Sequence, residues 1–169
     1  IAVLEKEDRQ CAKHLKKICK CPVKAIIIPH GKSLSNFKQN SDNKLTCVFC
    51  KRMLVRYAEY IARIEHADAL VMGDSLGQVA SQTLQNIRVV EQAVSIPILR
   101  PLIGLDKQEI IKISRDIHLY DLSIAPSDGC HAVPKKPATK AKLKNIVPEE
   151  ENLDIEDLVL HTIQNKVIS

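Results

Sequence analysis

Tryptophan is absent from the 169 residues, and with two Phe and three Tyr the aromatic share is only 3%. Stacking of bases on aromatic platforms is therefore excluded as a main binding mode, and a core has to be aliphatic. Long apolar runs are missing too. None approaches the ~18 to 20 residues of a membrane span, and no basic-then-apolar leader opens the chain. No membrane partner is expected, and the sequence reads as cytoplasmic. No internal repeat occurs. The chain opens on Ile1 rather than Met, so further residues are expected before it.

What is present fits one compact domain, since 45% of the residues are hydrophobic and the length suffices to bury a core. The net charge of +5 favours a polyanionic partner without demanding one. Its distribution is more telling. Lys135, Lys136, Lys140, Lys142 and Lys144 crowd one stretch, and Glu149, Glu150, Glu151, Asp154, Glu156 and Asp157 follow at once. Six cysteines in an intracellular chain point to metal, cluster or redox chemistry rather than to a disulfide framework.

Short β-branched runs alternate with stretches of helical period, the signature of a parallel sheet with crossover helices on both faces. Strands are expected at residues 1–4, 23–28, 69–72 and 96–99. Helices are expected at about residues 7–20, from Phe49 onward, from the turn at Ser75 onward and from Asp106 onward, with a last one at about residues 154–166. The helix after Ser75 should bury Leu76, Val79, Ala80, Leu84, Ile87, Val90 and Val94, and the one from Phe49 should carry Lys51, Arg52, Arg56 and Arg63 on its polar face. Asp106 and Glu109 form a capping box. Residues 31–46 read as a polar loop, and the chain beyond Tyr120 reads as irregular.

Two patterns carry chemistry. Gly73-Asp74-Ser75-Leu76-Gly77 joins a strand to a helix, a turn that can present backbone N-H groups and a helix N-terminus to a phosphate; the same glycines also suit a tight connection with Ser75 as its cap. Cys47-x-x-Cys50 lets two thiolates meet on one metal or form a redox pair, and without a second such pair a structural zinc site lacks half its ligands. Cys11, Cys19 and Cys21 read as structural, and His131 is singled out among the histidines by its neighbour Cys130.

The string Gly73-Asp74-Ser75-Leu76-Gly77-Gln78-Val79-Ala80-Ser81-Gln82-Thr83-Leu84, with Arg100-Pro101-Leu102-Ile103-Gly104-Leu105-Asp106-Lys107, closely resembles the tRNA 4-thiouridine sulfurtransferases, a family also known for thiamine biosynthesis. The resemblance implies an α/β, Rossmann-like domain of the PP-loop ATP pyrophosphatase type. Such a domain uses ATP with Mg2+ to adenylate O4 of a tRNA uridine, and sulfur then displaces AMP. It also implies nucleotide contacts at Gly73, Gln82 and Lys51, the last standing where relatives usually have Arg; Asp74 and Ser75, in the same turn, are candidate nucleotide-binding residues with them. Gly129-Cys130-His131, with Pro134-Lys135-Lys136-Pro137, resembles the segment holding the sulfur-transfer cysteine. In archaeal-type members without a rhodanese domain, the equivalents of Cys47, Cys50 and Cys130 are taken to hold an iron-sulfur cluster. The competing reading makes Cys130 a persulfide or resolving thiol with the Cys pair as partner. The sulfur donor is sulfide or a persulfide carrier, and the five lysines are expected to touch tRNA phosphates.

One part of the family pattern is missing. Its first strand and the Ser-Gly-Gly-x-Asp-Ser loop that grips pyrophosphate occur nowhere in these residues, and no THUMP or rhodanese region is present. Leu4 and Glu5 stand where the family has nucleotide contacts. The expectation is an enzyme domain, inactive alone, whose PP-loop and THUMP region come from upstream sequence or another chain. The alternative is a partner module of the same fold that binds RNA or a cluster without adenylating anything.

Overall fold

The computed structural model describes residues 6–20, 22–124, 130 and 132–168. The strand expected at residues 1–4, together with Glu5, Cys21, Gly129 and His131, lies outside them. The architecture is α/β. Helix α1 (Lys6–Ile18) leads to strand β1 (Ile26–Ile27), helix α2 (Gly31–Asn40), helix α3 (Thr46–Ile64) and strand β2 (Leu70–Val71). Helix α4 (Leu84–Glu91), strand β3 (Ile98–Leu99), helix α5 (Lys107–Asp116) and the short α6 (Tyr120–Ser123) follow. Helices α7 (Leu143–Glu151) and α8 (Ile155–Gln164) and strand β4 (Val167–Ile168) close the chain.

β2 and β3 run parallel, with Leu70 opposite Ile98, as the alternating pattern implies. β1 instead pairs antiparallel with β4, Ile26 opposite Ile168, a pairing the sequence reading did not anticipate. The strands thus form two half-sheets. Between them runs an apolar groove of about 710 Å3, walled by Ile26, Leu70 and Val71 and floored by Leu54, Ala58 and Ala62 of α3.

Helix α3 is the centre of the core. Val48, Phe49, Met53, Val55, Tyr57 and Ile61 are buried along it, and the Phe49 ring stacks on Phe37 at 4.0 Å. Phe37 comes from α2, where a polar loop was expected. The segment has few apolar residues, but Ser33 and Phe37, four apart, are both buried, so packing on α3 decides its state rather than composition.

A second departure follows the Gly73 turn. No helix starts at Ser75: Gly77 takes φ 77°, a left-handed conformation that interrupts one, and a single 3-10 turn spans Ala80–Gln82. Helix α4 starts later, capped by Thr83, whose hydroxyl accepts from the Asn86 amide at 3.3 Å. Leu76, Val79 and Leu84, expected to be buried, are accordingly 44%, 56% and 66% exposed. The box at α5 forms as expected: the Asp106 carboxylate accepts from the amides of Gln108 and Glu109, and Glu109 accepts from the Asp106 amide at 2.7 Å.

The chain beyond Tyr120 is more regular than expected, since α7 forms although it contains Pro148. Its anchor is Glu150, which bonds Arg52 at 2.8 Å through both carboxylate oxygens and Arg56 at 2.8 and 2.7 Å. Arg52 also donates to the Val89 carbonyl, so one buried ion cluster ties α3 to α4 and α7. Arg52, assigned by its period to a polar face, is 2% exposed.

Candidate nucleotide and thiol site

The parallel half-sheet places the Gly73 turn just beyond the carboxyl end of β2, where ligands of open α/β folds gather. Gly73 is exposed, and a methyl group added there would meet nothing within 4 Å, so the space over the turn is open. Asp74, by contrast, is 4% exposed. Its Oδ1 accepts from Lys51 Nζ at 2.5 Å and from Gln82 Nε2 at 3.4 Å, and its Oδ2 accepts from Arg100 Nε at 3.3 Å. Burial alone would raise the Asp74 carboxyl, but the bond and charge of Lys51, then Arg100 and Gln82, outweigh it and hold the group below the usual Asp value. Two cations meet at this carboxylate, Arg100 being shared with Glu91 at 3.5 Å, so the cluster is charge-balanced and offers a phosphate cationic N–H donors rather than a net charge. Ser75, a candidate cap, instead donates its hydroxyl to the Leu105 carbonyl at 2.8 Å and so ties the turn to the segment before α5.

Lys51, Asp74 and Gln82 therefore meet as one group beside Gly73, and the structure adds Arg100 to them. The sequence reading met Arg100 only as part of a string; a basic residue at the end of a parallel strand, directly before Pro101, was the available signal. Gln82 Oε1 and Arg100 Nη2 are both buried and lack a partner among the described residues.

Cys47 and Cys50 lie in the first turn of α3, which begins at Thr46, rather than in a loop ahead of it. Both are half-buried, whereas Cys130 is exposed. Burial first, then the charges of Cys130 and Cys47, push the Cys50 thiol up to about 12 against the opposing pull of Lys51. Cys47 is raised for the same reasons, burial first and Cys130 second, again opposed by Lys51. Cys130 is thus near enough for its charge to act on both members of the pair, and Lys51 borders the thiols as well as Asp74. Among the described residues, no three His, Cys, Asp or Glu side chains are placed to hold one metal ion. Of the other cysteines, Cys11 is half-buried and Cys19 exposed.

Lys135, Lys136, Lys140, Lys142 and Lys144 are all exposed. Their segment is fastened beside the site by Asn86, which donates to the Ala138 carbonyl at 2.7 Å and accepts from the Ala141 amide at 2.9 Å, and by Thr83, which donates to the Thr139 carbonyl at 2.6 Å. Fully buried Asn86 was not foreseen, because one amide in a helix carries no sequence signal. No helix among the described residues is long and apolar enough to cross a membrane.

Comparison with known proteins shows the family and the fold. The model of the family described as "Thiamine biosynthesis protein (ThiI)" matches residues 2–155. A probable tRNA sulfurtransferase of Methanosarcina mazei is 46% identical over 137 residues, covering 81% of this chain and 34% of the relative. One from Finegoldia magna is 47% identical over 129 residues, covering 75% and 33%. The chain spans about a third of the length of these curated relatives. Among solved structures, a 4-thiouridine synthetase in complex with RNA and bound ATP superposes with a TM-score of 0.91 at 30% identity, over 97% of this chain and 44% of that one.

Proposed function

The chain belongs to the thiamine biosynthesis protein (ThiI) family, and from that premise we propose that it is the larger part of a catalytic domain that adenylates a tRNA uridine and replaces its O4 with sulfur. The observation that carries this reading is that Lys51 joins two chemistries, bonding Asp74 beside the Gly73 turn while bordering Cys47 and Cys50. A nucleotide set over Gly73 would find positive charge at Lys51 and Arg100. Uridine O4 attacks the α-phosphorus of ATP, pyrophosphate departs, and O4 becomes part of a good leaving group. A sulfur nucleophile then attacks C4 and AMP leaves.

Cys130 suits the sulfur-bearing role because it is exposed, whereas Cys50 stays a neutral thiol at pH 7. A Cys130 persulfide, charged by sulfane sulfur from a persulfide carrier, would attack C4 with its outer sulfur as AMP leaves; attack by Cys47 on the inner sulfur would then release the thiolated base and leave a disulfide for an external thiol to reduce. The same three thiols are the ligands an iron-sulfur cluster would use, and such a cluster would supply sulfide at an open iron. As they stand they do not converge on one ion, so the route written here runs through the thiols. Mg2+ would accompany ATP, and the exposed lysines would grip tRNA phosphates. A link to thiamine thiazole synthesis belongs to the same reading.

The groove between β1 and β2 supports a further part of it. A strand carrying the pyrophosphate loop, from polypeptide outside these 169 residues, would join the two half-sheets there, so the isolated chain should not exchange pyrophosphate with ATP. A binding module without adenylation has no comparable support. The test is nucleoside analysis: unmodified tRNA incubated with ATP, Mg2+, a persulfide carrier, a thiol reductant and this chain joined to the remaining two thirds of a relative should gain 4-thiouridine. TRNA that stays unthiolated with every component present overturns the proposal.

A further inference from the structure

Arg100 lies at the carboxyl end of β3 with its side chain 9% exposed, and neither the motifs nor the likenesses give it a role. Its Nε reaches Asp74 Oδ2 at 3.3 Å, its Nη1 reaches the Ile98 carbonyl at 3.4 Å and Glu91 at 3.5 Å, and its Nη2 is buried without a partner among the described residues. Asp74 is a poor ligand for a nucleotide, because a carboxylate repels phosphate and both its oxygens are already engaged. It is instead a hub, with Lys51 and Gln82 on one oxygen and Arg100 on the other. A lysine ammonium sits on a flexible four-carbon stem and keeps a fixed position only where a partner holds it. Arg100, bonded also to the backbone of β3, is the member of the group best anchored to the sheet.

We propose that Arg100 is a positioning residue of the nucleotide site: by fixing the Asp74 carboxylate it holds Lys51 and Gln82 facing the Gly73 turn. This rests on the reading of that turn as a nucleotide site. The test is a double-mutant cycle, with ATP as the probe and amide chemical shifts as the readout, which reports weak affinities in a chain of 18.9 kDa. Arg100→Gln should weaken ATP binding about tenfold, and Arg100→Lys, which keeps the charge but not the fork, by about threefold. In a Lys51→Met background the Arg100→Gln effect should shrink to about twofold or less, because the residue it acts through is gone. An unchanged affinity in Arg100→Gln overturns the proposal, as does an undiminished effect in the Lys51→Met background, which would mean that Arg100 meets the ligand itself. If neither the wild-type chain nor the chain joined to the rest of a relative binds ATP, the nucleotide reading falls and the positioning role with it. If Arg100→Gln does not fold, the cycle is run with Arg100→Lys, and full additivity with Lys51→Met is then the contradicting result.

Discussion

Two buried carboxylates, Asp74 and Glu150, are each held by two cations, yet they are built differently. Glu150 is saturated: four bonds of 2.7 to 2.8 Å from Arg52 and Arg56, in paired forks, tie α3 to α7. Asp74 has one short bond from a lysine and two looser ones at 3.3 and 3.4 Å, with two buried polar atoms nearby left unpartnered. Bidentate pairing without loose ends is how a fold uses charge. Mixed partners, longer bonds, an unmet donor on Arg100 and an unmet acceptor on Gln82 at the end of a parallel strand are what the proposed ligand site would use. The two clusters are connected through α3, since the neighbours Lys51 and Arg52 reach Asp74 and Glu150 respectively.

The sharpest way to break this comparison is to remove each carboxylate. Glu150→Ala, which strands two buried guanidinium groups, should cost about 3 to 5 kcal/mol of stability, whereas Asp74→Asn, beside the partly exposed Lys51, should cost about 1 kcal/mol. Urea unfolding measures both, and equal losses would erase the distinction. Next in size is an acid effect that belongs to the fold. His30 is buried against Tyr57, and burial holds its pKa down at about 4. Its contribution is therefore complete above the unfolded value near 6.5 and is lost as the pH falls toward 4, about 2 kcal/mol between pH 7 and pH 5. His30→Phe should flatten that slope, which unfolding curves at the two pH values will show. The depressed carboxyls of Asp74 and Glu150 act lower, stabilising above the ordinary carboxylate range and losing effect as the pH falls through their folded values.

Affinity should invert the order seen in stability. Asp74→Asn should weaken ATP binding about tenfold, or 1.4 kcal/mol, and Glu150→Gln, studied where it is folded, less than about twofold. The smallest effect concerns the lysines. Neutralising Lys135, Lys140 and Lys144 together should reduce the dependence of tRNA affinity on log salt by about 2 to 3, and an unchanged slope would make them a solvated surface only.

The elements that the sequence made legible were those with a local signature. The capping box at Asp106 and the parallel runs at Leu70 and Ile98 depend on neighbours in the chain, and each appears where expected, whereas the helix start expected at Ser75 does not. What escaped depends on distant partners. Helix α2 exists because Phe37 stacks on Phe49, and β4 because it pairs with β1 from the other end of the chain. The late start of α4 was hidden by apolar residues at helical spacing, which the left-handed Gly77 takes out of register. At the site, Lys51 and Gln82 follow from the resemblance and Asp74 from the turn it shares with Gly73, but neither source gives their bonds. That Asp74 is a hub, and that Arg100 completes it, required coordinates.

The central claim is that one site holds two separable functions, a nucleotide half at Asp74 and a sulfur half at Cys130. The most direct measurement follows AMP and sulfur on the same tRNA, with this chain completed by the rest of a relative and supplied with ATP, a persulfide carrier and a thiol reductant. A Cys130→Ser variant should still attach AMP to tRNA but form no 4-thiouridine, while Asp74→Asn should be slowed in both. Full thiolation by Cys130→Ser, or loss of AMP attachment in that variant, would contradict the account.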